Sequence, residues 1–437
     1  MGSTPTAPTT RRSFLIDSDP SQRITPTHSS LRHGTLDLNF AMKSRKSMKH
    51  FLALPLSLLM TTGATVASDK KEETKPDGRD GGYENPWHDC HQPVRRFEGT
   101  LGDKDITLLF TEREHRLNPD HRKYDAAYHT NESGIPIELA YQVEENDDDP
   151  SQPLVFHELQ DQGGTWRIDC SENGASGTWT SKDGKSAMPI ALKESYPPGS
   201  VKVNRLRLDF ACIEEIGQLR RGKQMGVTLL SVPDGGNEAL GTRLAILARD
   251  SINPDRQVAA SPEALSSYIR ELVLQTESTE KYAISRNNKD FTLRMNESGF
   301  LTVEESSHVH EGGAHGYGFS RFWNLDIATG KSVELADFVN PGREEKWASL
   351  GRAAILEQRG LQPGSSLVKA GLHEDHLALN TTWFLVPGGI GFRYAPYEIA
   401  SYAMGEFEFI LPWKDIFEDL KQGTKVHGIA QGFVSRQ

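Results

Sequence analysis

The sequence predicts an α+β protein: an N-terminal antiparallel β-barrel or sandwich, then a mixed module in which strands and helices are segregated. Three observations carry this. Between Arg95 and Glu194 the chain breaks into short β-prone runs divided by turn signals, the pattern of an antiparallel sheet curled on itself. After Tyr196-Pro197-Pro198-Gly199-Ser200 the apolar period changes, and spacings of three and four enter between strands. From Phe291 the chain returns to strands, so helices and strands cluster separately, as in α+β proteins.

The first 68 residues stand outside that fold. Residues 1–41 are Ser/Thr/Pro-rich and aperiodic, and are expected to be either a mis-assigned start, with Met42 or Met48 the true one, or a disordered arm. Met42 to His50 carries Lys43, Arg45, Lys46 and Lys49, Phe51 to Met60 is apolar, and Thr61 to Ala67 is mostly small. That order is a secretory signal peptide over 42–67, with cleavage after Ala67 or Ser68 and a periplasmic or secreted product. The apolar run is too short to span a membrane, and no other run approaches that length. Residues 68–94 are polar with little to bury, and read as a flexible linker.

The chain's formal charge is −11, and without its first 68 residues, which hold eight Lys/Arg and three Asp/Glu, it is −16. Such a field disfavours nucleic acid and favours cationic partners, within a Debye length of about 8 Å. The three cysteines, Cys90, Cys170 and Cys212, suit one disulfide plus one thiol in an oxidising compartment, with all three pairings open. Cys90 lies in His88-Asp89-Cys90-His91, where metal capture competes with a disulfide.

The first module, 95–196, holds the runs Phe97 to Leu101, Ile106 to Phe110, Tyr124 to His129, Ile135 to Tyr141, Leu154 to Leu159, Thr165 to Cys170, Gly177 to Ser181 and Met188 to Leu192. Eight strands suffice to close a barrel around side chains or one small ligand. Gly164-Thr165-Trp166 and Gly177-Thr178-Trp179 echo each other, and both tryptophans read as core or rim residues.

A second stretch, 200–285, offers strands at Val201 to Phe210 and Gln224 to Val232 and a helix at Asn237 to Asp250. Ser261-Pro262-Glu263 opens another helix to Gln275, since serine caps free amides, proline suits the first turn and glutamate meets the positive dipole end. The third, 286–425, reads as strands Phe291 to Met295, Phe300 to Glu305 and Tyr317 to Asp326, a turn Asp326 to Lys331, and a helix Glu344 to Gln358. Strands Thr382 to Val386 and Gly391 to Tyr394, a short helix Pro396 to Met404 stopped by Gly405, a strand Glu406 to Leu411 and a helix near Trp413 to Leu420 follow.

Chemistry concentrates in His308-Val309-His310-Glu311-Gly312-Gly313-Ala314-His315-Gly316-Tyr317-Gly318. On one strand, His308 and His310 leave the same face about 7 Å apart and can converge on a zinc ion about 2 Å from each nitrogen. Glu311 or His315 can supply a third ligand, leaving one position open to water; with His308, His310 and His315 as the metal set, Glu311 is the general base. The competing reading is a structural corner, in which glycines permit tight turns and histidines bond to carbonyls. No catalytic signature of high specificity is present; no cofactor is expected, zinc being the one candidate.

Several motifs together resemble a known family. Gly312-Gly313-Ala314-His315-Gly316, then Trp323-Asn324-Leu325-Asp326-Ile327-Ala328-Thr329-Gly330-Lys331, then Ala395-Pro396-Tyr397-Glu398-Ile399-Ala400-Ser401-Tyr402-Ala403-Met404-Gly405 and Ile410-Leu411-Pro412-Trp413, resemble the "GGAHG", "N-D-x-x-T-G-K", "N-PYEIAPYAAG" and "IPY" blocks of an extracytoplasmic domain of unknown function. That domain closes RsiV-type anti-sigma factors and PdaC-type peptidoglycan deacetylases. Ala395 replaces its asparagine and Met404 one of its alanines. The resemblance covers about residues 285–420 and implies an α+β module, a lysozyme receptor in the RsiV branch and an accessory region in the deacetylase branch. No transmembrane or sigma-binding segment precedes the module and no deacetylase metal motif is present, so neither signalling nor deacetylation is expected.

The function expected is a non-enzymatic cell-envelope binding protein for a cationic protein such as lysozyme or for a peptidoglycan fragment, with His315, Tyr397 and Glu398 as contact residues. The alternative is a metal-dependent hydrolase of cell-wall material.

Overall fold

The computed structural model describes residues 94–112, 124–142, 152–159, 163–216, 219–233, 236–253, 255, 258–275, 284–311 and 315–436. The expectations for the start, the signal peptide, the linker and Cys90, and the residues Gly312 to Ala314, lie outside them.

Alternation of period two builds the first module. β1 (Val94–Leu101), β2 (Lys104–Glu112), β3 (Tyr124–Thr130), β4 (Ile137–Tyr141), β5 (Leu154–Glu158), β6 (Thr165–Ser171), β7 (Gly174–Thr180) and β8 (Ala187–Glu194) pair in sequence. β1 then pairs antiparallel with β8, from Phe97 opposite Glu194 to Leu101 opposite Ile190, and closes a barrel. Side chains two apart share a face, so Phe97, Phe110, Tyr124, Tyr128, Phe156 and Trp166 all reach the buried interior. Each such ring contributes about 2–3 kcal/mol by leaving water. Cys170 is disulfide-bonded and Cys212 is free, so the pairing excludes Cys212.

A five-stranded sheet follows, made of β9 (Asn204–Ile216), β10 (Leu219–Ser231), β11 (Ile284–Glu297), β12 (Phe300–His310) and β13 (Tyr317–Asp326), in the order β13-β12-β11-β10-β9. Strands from both sides of residue 285 share it. Its one parallel step, β10 to β11, needs a crossover longer than a hairpin. Helices α1 (Glu238–Ile252) and α2 (Pro262–Gln275) lie within that connection. Asn237 caps α1 by accepting from the Leu240 amide at 3.0 Å, and Ser261 caps α2 through the Ala264 amide. The helices cover one sheet face, where Val227, Phe291, Leu301 and Val303 meet Leu244 and Ile269 in a core that also takes Val94 of the barrel. The other face carries Arg205, Arg207, Asp290 and Glu304.

The last part is β14 (Trp383–Val386), β15 (Gly389–Tyr394) and β16 (Phe407–Pro412) with α3 (Leu335–Phe338), α4 (Glu344–Gln358), α5 (Trp413–Ile416) and α6 (Lys425–Val434). Asn324 of β13 joins it to the central sheet: its Oδ1 accepts from the Leu385 amide at 2.7 Å. The barrel's β3–β4 turn docks onto it as well. The Gly388 amide donates to the Gly134 carbonyl at 2.8 Å, and Arg436 to that of Asn131. A Cβ on Gly388 would stand 2.1 Å from the Ser133 oxygen, so this approach requires glycine.

Of the elements that differ from the sequence reading, two have a cause visible in their own side chains. The expected helix Pro396 to Met404 is a turn followed by one 3-10 turn at Tyr402–Met404. Glu398 captures the Ala395 amide and the Asn380 side chain, both at 2.9 Å, and such local side-chain bonds compete with the helical ladder. Conversely, α6 is present although Gly428 and Gly432 weaken its propensity. Thr424 caps it, and Val426 and Ala430 bury its inner side.

Candidate functional site

The structure brings the end of β12, the start of β13 and the segment 395–405 to one surface. β12 holds both His308 and His310, so they do share a face, opposite Asn288 and Arg286 of β11 respectively. His308 is exposed and His310 half-buried. His308 lies directly against Gly316, where a Cβ would stand 2.8 Å from its Nε2. His315 turns elsewhere: its Nδ1 is 3.1 Å from the Gly316 carbonyl and its ring stacks on Tyr402, centroids 4.5 Å apart at 24°. Among the described residues no three His, Cys, Asp or Glu side chains form a group able to hold a metal ion, and His308, His310 and His315 therefore do not form one. Glu311 is exposed and acts on Lys223, whose ammonium is held below its ordinary range by burial, with Glu311 opposing.

Tyr402 is the hub that ties the two segments. Its hydroxyl donates to the Gly316 carbonyl at 3.0 Å, and its ring stands 5.4 Å from that of Tyr397 at 33°. Rings at such offsets attract through their quadrupoles. The result is a row, His315, Tyr402, Tyr397, on the outside of the molecule. Tyr397 is 59% exposed and has φ +74°, a left-handed conformation that bulky side chains avoid. The turn holds it there: the Glu398 amide donates to the Ala395 carbonyl, while the Glu398 carboxylate accepts from Ala395 and Asn380. Glu398 thus anchors the turn from which Tyr397 projects. Holding a residue in such a region costs about 1–3 kcal/mol.

β11, β12 and β15 also carry an ionic cluster that sequence reasoning missed. Glu304 of β12 is buried and accepts from Ser306, Ser320 and Arg393. Arg393 also grips Glu408 through Nε at 2.8 Å, and Arg294 contacts Glu138 at 2.5 Å and Glu408 at 2.9 Å. Burial alone would raise the Glu304 carboxyl, but Arg393 and Arg294 hold it below the ordinary range; Arg294 does the same for Glu138. The sequence holds only a weak trace of this cluster. Arg294 stands between Leu293 and Met295, Arg393 between Phe392 and Tyr394, and Glu408 between Phe407 and Phe409. In a strand such neighbours lie on the opposite face, so this alternation equally fits a solvent-facing charge and does not by itself mark a buried one.

Among the described residues no helix is long and apolar enough to cross a membrane. Residues 336–414 match the family model described as "Protein of unknown function (DUF3298)". Two solved structures are similar. One is a member of the DUF3298 family from Bacteroides fragilis NCTC 9343, with 15% identity and TM-score 0.46 over 53% of this chain and 99% of that one. The other is a DUF3298 family protein from Pseudomonas aeruginosa PAO1, with 21% identity and TM-score 0.40 over 51% of this chain and 95% of that one. No curated protein matches the chain. Tyr397, Glu398 and Tyr402 all lie within the segment 336–414 that matches the DUF3298 model.

Proposed function

We propose that this chain is an exported, periplasmic or secreted, non-enzymatic binding protein of the cell envelope, whose surface around Tyr397, Tyr402 and His315 takes a cationic protein such as lysozyme, or a peptidoglycan fragment. The observation that carries the reading is Tyr397: a large ring, mostly exposed, held at φ +74° by a turn that spends a carboxylate and an amide on keeping it there. Strain of that kind persists where the presented group has a use. Tyrosine is a common anchor of binding surfaces, and its ring face attracts cations. The −16 charge of the chain without its first 68 residues and the resemblance to the RsiV-type module support a basic partner.

The test is a titration of the purified chain with lysozyme at low and moderate salt, with peptidoglycan fragments in parallel. A saturable complex that weakens with salt, and at least about tenfold on Tyr397→Ala, is expected. No saturable complex with lysozyme removes the protein-ligand version, and none with either ligand removes the reading.

A further inference from the structure

The barrel has no sheet edge, because β1 pairs with β8. In the central sheet β13 ends one side, and Asn324 ties it to β14 through the Leu385 amide. β9 ends the other side. It runs 13 residues, pairs with β10 from Asn204 to Ile216 without a register shift, and has no strand on its outer side among the described residues. The main chain on that side is open. The side chains of Arg205 and Arg207 are only 4% exposed, yet each residue as a whole is half-buried, so what they show to solvent is mostly backbone. A long edge with bare N–H and C=O groups templates another strand unless proline, a bulge or outward-standing lysine blunts it. β9 has no proline and no lysine, and its arginines fold back over the sheet onto Thr228, Asn288 and Asp290.

We propose that β9 pairs antiparallel with β9 of a second copy of this chain, about a two-fold axis at Leu208, and so joins two five-stranded sheets into one. The inference goes beyond the ligand reading above and does not depend on it.

The strand is complementary to itself in that register. Arg207 faces the partner's Asp209 and Asp209 the partner's Arg207, on the face where both already lie. On the helix-covered face Leu208 meets the partner's Leu208, and Leu206, 47% exposed in one chain, meets the partner's Phe210. Moving the axis one residue either way sets Arg207 against the partner's Arg207 or Asp209 against the partner's Asp209, and like charges directly opposite destabilise a strand pair. A closed two-fold contact of this kind uses the same patch on both copies. The helices permit it. α2 packs on both β9 and β10, so its axis lies inside the edge by about half a strand spacing; across a junction of about 4.8 Å the two α2 helices come about 10 Å apart, an ordinary helix-packing distance. The Tyr397 surface lies beside the start of β13, at the opposite side of the sheet, so the dimer presents it twice.

Sedimentation equilibrium of the full chain from about 1 to 100 µM should show a reversible monomer–dimer equilibrium. Leu206→Lys should weaken it by at least about tenfold, because it sets a charge against the partner's Phe210 on the edge. Hydrogen exchange in the unsubstituted chain gives a second readout: every second amide of β9, those directed away from β10, should be protected at high concentration and lose protection on dilution, while the Phe156 amide inside the barrel stays constant. A chain monomeric over the whole range overturns the proposal, as does a dimer that Leu206→Lys leaves unchanged. Protection of β9 that does not respond to dilution also overturns it, since another segment of the same chain would then occupy the edge. If Leu206→Lys does not fold, the dilution response alone decides.

Discussion

The barrel and the segment from β12 to β16 both bury aromatic rings, but they differ in where their interior polar groups find partners and in what they leave exposed. In the barrel the aromatic rings are inside, and its inward-turned carboxylate, Glu158, is saturated: Oε1 accepts from Tyr128, Trp166 and Trp179 at 2.7–3.0 Å, and Oε2 from the Gly164 amide at 2.7 Å. Trp166 and Trp179, the two tryptophans of the sequence echo, face each other across β6 and β7 and both point at it. Burial, then Glu158, pushes the Tyr128 phenol up, so it stays a donor. The other region also buries rings, among them Phe384, Phe392, Tyr394 and Phe409, but it adds the Arg294–Arg393 cluster and leaves the rings of Tyr397 and Tyr402 outside. The difference separates a carboxylate whose partners all come from its own module from a cluster whose partners arrive from three parts of the chain. A satisfied interior polar group stabilises a unique arrangement, and a single missing partner is expensive.

The largest effect belongs to the barrel. Trp166→Ala, removing a fully buried indole, should cost about 3–5 kcal/mol in chemical denaturation, and a loss below about 1 kcal/mol would mean that the interior does not hold the barrel together. Arg294→Met should cost about 3 kcal/mol because it leaves Glu138, Glu304 and Glu408 short of a cation. Its cost should shrink in acid, where those carboxylates protonate. Glu158→Gln, tested in the same way, should cost about 1–2 kcal/mol, since the amide keeps one acceptor oxygen but loses charge-assisted bonds. The smallest change runs the other way. Tyr397→Gly relieves a left-handed backbone and should raise stability by up to about 1 kcal/mol, while weakening the proposed complex. If melting and binding both fell, the exposed ring would be structural after all.

How much of this was legible in the sequence follows from the range of each interaction. The eight barrel runs, the caps at Asn237 and Ser261 and the helix Glu344–Gln358 are written in neighbours two to four residues apart. The stretch 308–318 and the segment 395–405 were recognisable as chemistry-bearing, but their meeting through Tyr402 and Gly316 spans 86 residues. The turn at Tyr397 misled helical reading because Asn380, 18 residues before Glu398, completes it. The cluster pairs Glu138 with Arg294 across 156 residues and Arg294 with Glu408 across 114.

By itself, then, the sequence determined which stretches alternate, which coil, where several helices begin and that an antiparallel β module precedes a mixed one, because backbone geometry and solvent sort side chains by local period. Only the tertiary structure decided that the barrel closes β1 on β8, that three parts share two arginines, and that a tyrosine is held exposed at positive φ. Those outcomes depend on which charges and carbonyls arrive side by side from distant positions, and no local period encodes that.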